Sequence, residues 1–128
     1  MIDIEKEYYS RDRLLNSIAE RELVYEPGKG REYSNFGYAL LGLVIEKVSG
    51  KSYDEVLQEK ICQPAGMKNT LEDITAQPIE NRAIGYNYNY YTGLEEDSFL
   101  DMSFCLGAGQ LLSTVEDLYL FDKALYTD

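Results

Sequence analysis

The sequence predicts a mainly α chain with room for one short β-hairpin. Three observations carry that expectation. Apolar residues recur at three-and-four spacing in several runs, side chains of the N-capping type precede those runs, and strand-like alternation is confined to Gly85–Tyr91. At 128 residues, without a repeat, a low-complexity tract or a Gly/Ser linker, the chain is expected to be one continuous packed unit, a single domain spanning 1–128.

Ser10 can cap a first helix running to about Glu20, with Leu14, Leu15 and Ile18 on one face. An extended Leu23-Val24-Tyr25 then reaches Pro27-Gly28, a pair suited to a tight turn. The clearest helix runs from about Phe36 to Val48, with Asn35 as N-cap and Gly50 as the left-handed residue that ends it. Ala39, Leu40, Leu41, Leu43, Val44 and Ile45 leave it little polar face, so it is expected at the centre of the domain. Gly42 within it suggests the close approach of a neighbouring element.

Ser52 and Glu55 form a capping box for a next helix, to about Ile61, closed by Pro64 and Gly66. A polar, turn-rich stretch leads to Gly85–Tyr91, whose alternation suits an exposed strand or hairpin arm. Gly107-Ala108-Gly109 marks backbone that must bend or pack tightly. Ser113 and Glu116 read as a second capping box, opening a last helix with Val115, Leu118, Phe121 or Asp122, and Leu125 along its inner stripe.

Charge and composition narrow the function. With 23 acidic against 12 basic residues the formal net charge is -11, which repels phosphate backbones and anionic lipid surfaces. No nucleic acid partner is expected; plain solubility or a cationic ligand fits the sign better. The chain has no histidine, so neither an imidazole zinc site nor a Ser-His-Asp triad can be built within it. Cys62 and Cys105 stand in no metal-type spacing and read as small buried apolar residues; no metal and no cofactor is expected. The most apolar stretch, Tyr38–Ile45, falls far short of the roughly 20 residues that span a bilayer. Met1 to Tyr9 is charged and lacks the apolar centre of a secretory signal.

The candidate chemistry lies in Tyr33-Ser34-Asn35, where an extended segment enters the apolar helix. Side chains two apart in extended backbone point to one side, so Tyr33 and Asn35 can face one cleft. A phenol titrates at about 10, so a tyrosine acts as base at neutral pH only beside cationic groups; even un-ionised, its hydroxyl can relay a proton. A carboxamide such as that of Asn35 offers both a donor and an acceptor, suited to gripping a substrate amide and a lysine together. On three letters alone, though, Tyr33 reads as a half-buried aromatic and Asn35 as a helix cap, in a chain with 12 tyrosines.

The surroundings supply the specificity. Tyr25-Glu-Pro-Gly28, Tyr33-Ser-Asn-Phe-Gly-Tyr38, Leu41-Gly42, Ile45-Glu46 and Val48-Ser-Gly50 resemble the second-motif region of class C beta-lactamases and DD-peptidases. Pro64-Ala-Gly-Met67 with Asn69-Thr70, and Gly107-Ala-Gly109 with Ser113-Thr114 and Asp117-Leu118, are similar to later landmarks of that superfamily. The resemblance covers Tyr25 to Leu125. It implies the helical region of the α+β serine beta-lactamase/DD-peptidase fold. It also implies a reaction in which a Ser-x-x-Lys serine attacks an amide or ester carbonyl and a tyrosine shuttles its proton. Tyr33 matches that catalytic tyrosine, and Asn35 matches the asparagine that binds the substrate's amide side chain. The implied partner is a small-molecule or peptide substrate such as a beta-lactam, a D-Ala-D-Ala peptide or an ester. The implied setting is periplasmic or extracytoplasmic.

The departures are as informative. No serine has a lysine three residues on, and neither Lys-Thr-Gly nor His-x-Gly is present. In the superfamily the nucleophile precedes the tyrosine motif and the third motif follows it, so the chain is expected to be an interior piece, inactive in isolation. Gln110 stands where many relatives carry another glycine. The alternatives are a non-catalytic binding module that keeps the scaffold and, more remotely, an unrelated helical domain with a fortuitous Tyr-x-Asn.

Overall fold

The computed structural model describes residues 8–73, 79–97 and 101–126. The charged start falls mostly in 1–7, and part of the polar stretch before Gly85 falls in 74–78; both lie outside the described residues.

Helix α1, Arg11–Ala19, begins where expected: the Arg13 N–H donates to the Ser10 hydroxyl at 3.2 Å. Leu14 is fully buried, whereas Leu15 is half exposed, so the inner face is narrower than the three-leucine-type stripe suggested. The chain turns at Pro27-Gly28, closed by the Lys29 N–H on the Glu26 carbonyl at 2.9 Å. Leu23-Val24-Tyr25 forms no strand.

Helix α2, Asn35–Ser49, ends at Gly50 with φ +68° as its sequence demands, but its start differs from expectation. The cap is Ser34, whose hydroxyl accepts from the Gly37 N–H at 3.0 Å, and Asn35 is the first helical residue. Nor is α2 central to the packing of this chain. It packs on α1, on the next helix and on the turn before Leu106. Those partners meet one stripe, in which Ala39 and Gly42 are buried and Leu43 lies against the Leu14, Ala39 and Leu106 cluster. Leu41, Val44 and Ile45 are exposed, and Val48 is 82% exposed. A helix apolar all round requires cover on every side; the described residues cover one. The small residue in the stripe has the expected reason, since a Cβ on Gly42 would sit 2.6 Å from Leu106 Cγ. Gly107 comes close to the same face: its φ is +68° and a Cβ there would lie 3.0 Å from the Tyr38 carbonyl oxygen and 3.5 Å from Gly42.

Helix α3, Tyr53–Leu57, carries the complete Ser52/Glu55 capping box. It does not stop near Ile61. It widens into a π turn, Gln58–Cys62, and returns to α geometry in α4, Gln63–Ala65, before the left-handed Gly66. Pro64 accounts for the change. It has no N–H to offer, and its ring would press on the carbonyl four residues back in a regular helix. A bond five residues long, from the Gln63 N–H to the Gln58 carbonyl, widens the helix there, and the Met67 N–H closes its end on the Cys62 carbonyl at 2.8 Å.

Strand β1, Leu71–Glu72, pairs antiparallel with β4, Leu111–Leu112, and β2, Tyr86–Asn89, pairs antiparallel with β3, Gly93–Glu96. The second pair is the exposed hairpin the alternation suggested. Helix α5, Val115–Ala124, is capped by Thr114 rather than Ser113, its hydroxyl accepting from the Asp117 N–H at 3.2 Å. Its inner face also differs from expectation. Leu120 packs against the Leu57, Cys62 and Met67 cluster, while Val115, Leu118 and Leu125 are exposed. The rotation is set by Asp117, which is 2% exposed and accepts from the Lys68 N–H, the Asn69 N–H and the Thr70 hydroxyl at 3.2, 2.7 and 2.8 Å. Three directional bonds to one carboxylate outweigh the preference of a few aliphatic side chains for the interior.

Burial alone would raise the Asp117 pKa, but the Asn69 N–H, the Thr70 hydroxyl and the Lys68 N–H together hold it below the usual carboxylate range. A carboxyl depressed in the folded state stabilises the fold above its unfolded pKa of about 3.9, and that contribution disappears as pH falls through the lower folded value. Asp117→Asn is therefore expected to melt below the wild type at pH 7, with the difference shrinking below about pH 4. Thermal unfolding followed by circular dichroism across that range checks it; a pH-independent gap would assign the effect to geometry and not to charge.

Helices outweigh strands in this arrangement. Cys62 and Cys105 are buried free thiols, as their spacing suggested, and burial pushes both above the usual thiol value. No helix among the described residues is long and apolar enough to cross a membrane.

Candidate active site

The site begins with the choice of cap. Because Ser34 satisfies the Gly37 N–H, the Asn35 side chain is released from that duty at the first turn of α2. Tyr33, two residues earlier in extended backbone, points the same way, and its hydroxyl donates to Asn35 Oδ1 at 2.8 Å. The two residues proposed from spacing are thus brought together, and the reading of Asn35 as a mere cap is set aside. The pair sits at the surface, with Tyr33 77% exposed. The Tyr38 ring, one turn into α2, lies tilted beside it with centroids 6.4 Å apart.

The hydrogen bond has a direction with chemical consequence. The phenolic proton points at the carboxamide oxygen, so the lone pairs of the phenol oxygen are open to a hydrogen bond from a third group. The carboxamide NH2 of Asn35 keeps two donors for a carbonyl brought alongside.

Behind Tyr33 opens a cavity of about 380 Å³ between the segment after α1 and the first turns of α2. Leu23, Val24 and Tyr25 line one side; Phe36, Gly37 and Leu40 line the other. Arg21 lies on its wall with the guanidinium 3.8 Å from the centroid of the Phe36 ring, a stacked cation–π arrangement. No lysine lines this cavity among the described residues. Arg21 is the one cation that the described residues place on its wall.

Sequence reasoning missed the polar anchor beneath α2. Arg11 Nε donates to both Glu46 carboxylate oxygens at 3.1 Å, and its Nη2 donates to Glu72 Oε1 at 2.8 Å. Glu46 also accepts the Tyr53 N–H at 3.0 Å, and the buried Gln110 donates its side-chain amide to Glu72. Gln110, whose place in the loop had no sequence rationale, also accepts the Asp73 N–H on its backbone carbonyl at 2.8 Å. Burial raises the Glu72 pKa above the usual carboxylate value against the opposing pull of Arg11. The one advance signal was Glu46, a lone carboxylate in an otherwise apolar helix.

The comparisons with known proteins bear on this arrangement. The family model described as Beta-lactamase matches residues 2–126. The chain is 36% identical to Penicillin-binding protein 4* of Bacillus subtilis (strain 168) over 115 residues, 81% of this chain and 26% of that protein. It is 35% identical to Serine beta-lactamase-like protein LACTB, mitochondrial, of Homo sapiens over 125 residues, 93% of this chain and 23% of that protein. Among solved structures, it is similar to D-amino acid amidase from Ochrobactrum anthropi SV3 complexed with L-phenylalanine amide, with a TM-score of 0.82 at 30% identity, covering 98% of this chain and 38% of that one. It is also similar to penicillin binding protein from Bacillus halodurans, with a TM-score of 0.75 at 25% identity, covering 97% of this chain and 39% of that one. The chain spans about a quarter of the length of the curated relatives it matches.

Proposed function

This chain belongs to the beta-lactamase family, a superfamily of serine hydrolases, and on that premise we propose that it supplies the proton-relay tyrosine and the substrate-orienting asparagine of an acyl-transfer site. The nucleophile and its lysine are supplied by sequence outside these 128 residues. The single observation that supports this most is the 2.8 Å hydrogen bond from the Tyr33 hydroxyl to Asn35 Oδ1, made in the open at the start of α2.

In the proposed reaction a serine oxygen attacks an amide or ester carbonyl. Tyr33 turns its own hydroxyl proton from Asn35 to the leaving nitrogen or oxygen as the C–N or C–O bond breaks, and takes the serine proton in its place. Water then cleaves the acyl-enzyme by the same relay in reverse. Asn35 donates from its NH2 to the carbonyl of the substrate's side amide while its oxygen keeps the phenol aligned. The substrate class is an amide or ester of the D-amino acid, DD-peptide or beta-lactam kind. D-amino acid amidase and penicillin-binding relatives support that range. The bacterial penicillin-binding relatives favour an extracytoplasmic setting for the parent protein, although the human relative is mitochondrial by its name.

The test is covalent labelling. Incubated alone with a fluorescent penicillin, the 128-residue chain is expected to remain unlabelled on a denaturing gel. A labelled serine in this chain would overturn the assignment of the nucleophile to another segment. Reading the parent gene for Ser-x-x-Lys before this region, and Lys-Thr-Gly or His-x-Gly after it, separates the enzyme from a non-catalytic binding module. Their absence would favour the module.

A further inference from the structure

The hairpin formed by β2 and β3 is largely exposed, and the proposed acyl-transfer site does not use its chemistry. Its register pairs Tyr86 with Glu96 and Tyr88 with Leu94, which places these four side chains on one face. Tyr88 and Leu94 are each about three-quarters exposed and Tyr86 is 60% exposed. At the tip Tyr90 and Tyr91 meet edge to face, 5.3 Å between centroids, and both are exposed. A two-stranded hairpin with an aromatic face left in water is marginal on its own. This one is held by local bonds: the Asn87 amide to Asp97 Oδ1 at 2.7 Å, the Tyr91 N–H to Asn89 Oδ1 at 2.9 Å, and the Asp97 N–H to the Gly85 carbonyl at 2.8 Å.

Charge says what would cover the face. No lysine or arginine occurs between Arg82 and Lys123, while Glu95, Glu96 and Asp97 follow one another along β3 and its end. Asp97 is engaged by Asn87 and Glu95 by Thr92. Glu96, on the tyrosine face, makes no hydrogen bond or ion pair among the described residues. An open aromatic ring beside an unpaired carboxylate attracts ammonium or guanidinium groups, the ring through its quadrupole and the carboxylate through its charge. The hairpin is also two-stranded among the described residues, so each strand has an outer edge at which an extended peptide can add its own backbone bonds.

We propose that the face made by Tyr86, Tyr88, Leu94 and Glu96 is a docking surface for an extended peptide bearing lysine or arginine side chains. A cation every second residue matches the two-residue spacing of Tyr86 and Tyr88. Docking here is independent of acyl transfer and requires neither Tyr33 nor a nucleophile.

The experiment is fluorescence polarisation of a labelled peptide of alternating threonine and lysine against the 128-residue chain at low salt. A threonine–glutamate peptide and a neutral N-acetylglucosamine oligomer are the comparison probes. The lysine peptide is expected to bind saturably and the other two not to bind. Tyr88→Ala is expected to weaken binding about two- to fivefold, and Tyr88→Phe, which keeps the ring, by less than about twofold. Glu96→Gln weakens it by about twofold, whereas Glu116→Gln, which removes the same charge from the exposed start of α5, leaves it unchanged. Equal losses from Glu96→Gln and Glu116→Gln would overturn the proposal in favour of general attraction to an acidic chain. Binding of the glycan in place of the lysine peptide would overturn it in favour of sugar stacking. Because Tyr88→Phe and Glu96→Gln both preserve strand side chains of the original size, an unfolded Tyr88→Ala hairpin leaves the outcome decided by those two.

Discussion

Under the proposed function, Tyr33→Phe made in a longer polypeptide with a Ser-x-x-Lys nucleophile is expected to slow acylation by about 10²–10⁴-fold, the usual worth of a positioned acid-base group. The fold should not register the change. Tyr33 is exposed, its hydroxyl makes one hydrogen bond, to an equally exposed Asn35, and the ring contact with Tyr38 survives in phenylalanine. Loss of a surface hydroxyl of this kind alters stability by no more than about 0.5 kcal/mol. Stopped-flow acylation by a chromogenic beta-lactam, with a melting curve on the same sample, reads both quantities. A large fall in rate at an unchanged melting temperature supports the relay. An unchanged rate would mean that the serine proton leaves by another route and that the Tyr33–Asn35 bond is only a helix-start ornament.

The approach of Tyr33 to Asn35 was legible in advance because it is local: extended backbone sets the common direction of residues two apart. The same locality made the Ser52 box, the Gly50 terminus and the exposed hairpin readable. What misled was any inference that needed a partner's position. The apolar surface of α2 reads as a central helix, yet among the described residues the buried cluster meets it at Ala39, Gly42 and Leu43, and Val48 is exposed. In α5 the aliphatic stripe pointed one way while Asp117 turned the helix another, because its acceptors' donors lie 47 to 49 residues away, where no periodicity can reveal them. Ser34 was given no role, although Ser and Asn are comparable caps; the structure uses the serine and so leaves the carboxamide free. The π turn at Gln58–Cys62 follows from Pro64, which was visible, but its response, widening the helix instead of ending it, depends on the packing of Leu57, Cys62 and Met67.

The anchor centred on Arg11 is the extreme case of non-local information, joining residues 35 and 61 positions apart, and it carries the largest expected effect on stability. Arg11→Met is expected to lower the unfolding free energy by about 2–3 kcal/mol at pH 7, somewhat under the usual cost of breaking a buried pair because the arginine is itself about a quarter exposed. The cost arises from what remains. Glu72 keeps a buried carboxylate whose one other side-chain donor among the described residues is Gln110, and Glu46 stays nearby with the same charge. Methionine replaces the aliphatic stem, so lost packing contributes little. Burial already raises the Glu72 pKa, and removing the guanidinium that opposes the shift raises it further. A carboxyl raised in the folded state favours the fold fully below its unfolded pKa and loses that advantage as pH rises through the folded value. The deficit of Arg11→Met should therefore narrow as the pH is lowered from 7 toward about 5, in the direction that protonates Glu72. Urea unfolding at the two pH values checks this, and Arg11→Met combined with Glu72→Gln should recover most of the loss at pH 7 by removing the stranded charge. A deficit that ignores pH and is not rescued by the second change would show that Arg11 holds α1, α2 and β1 together by shape alone.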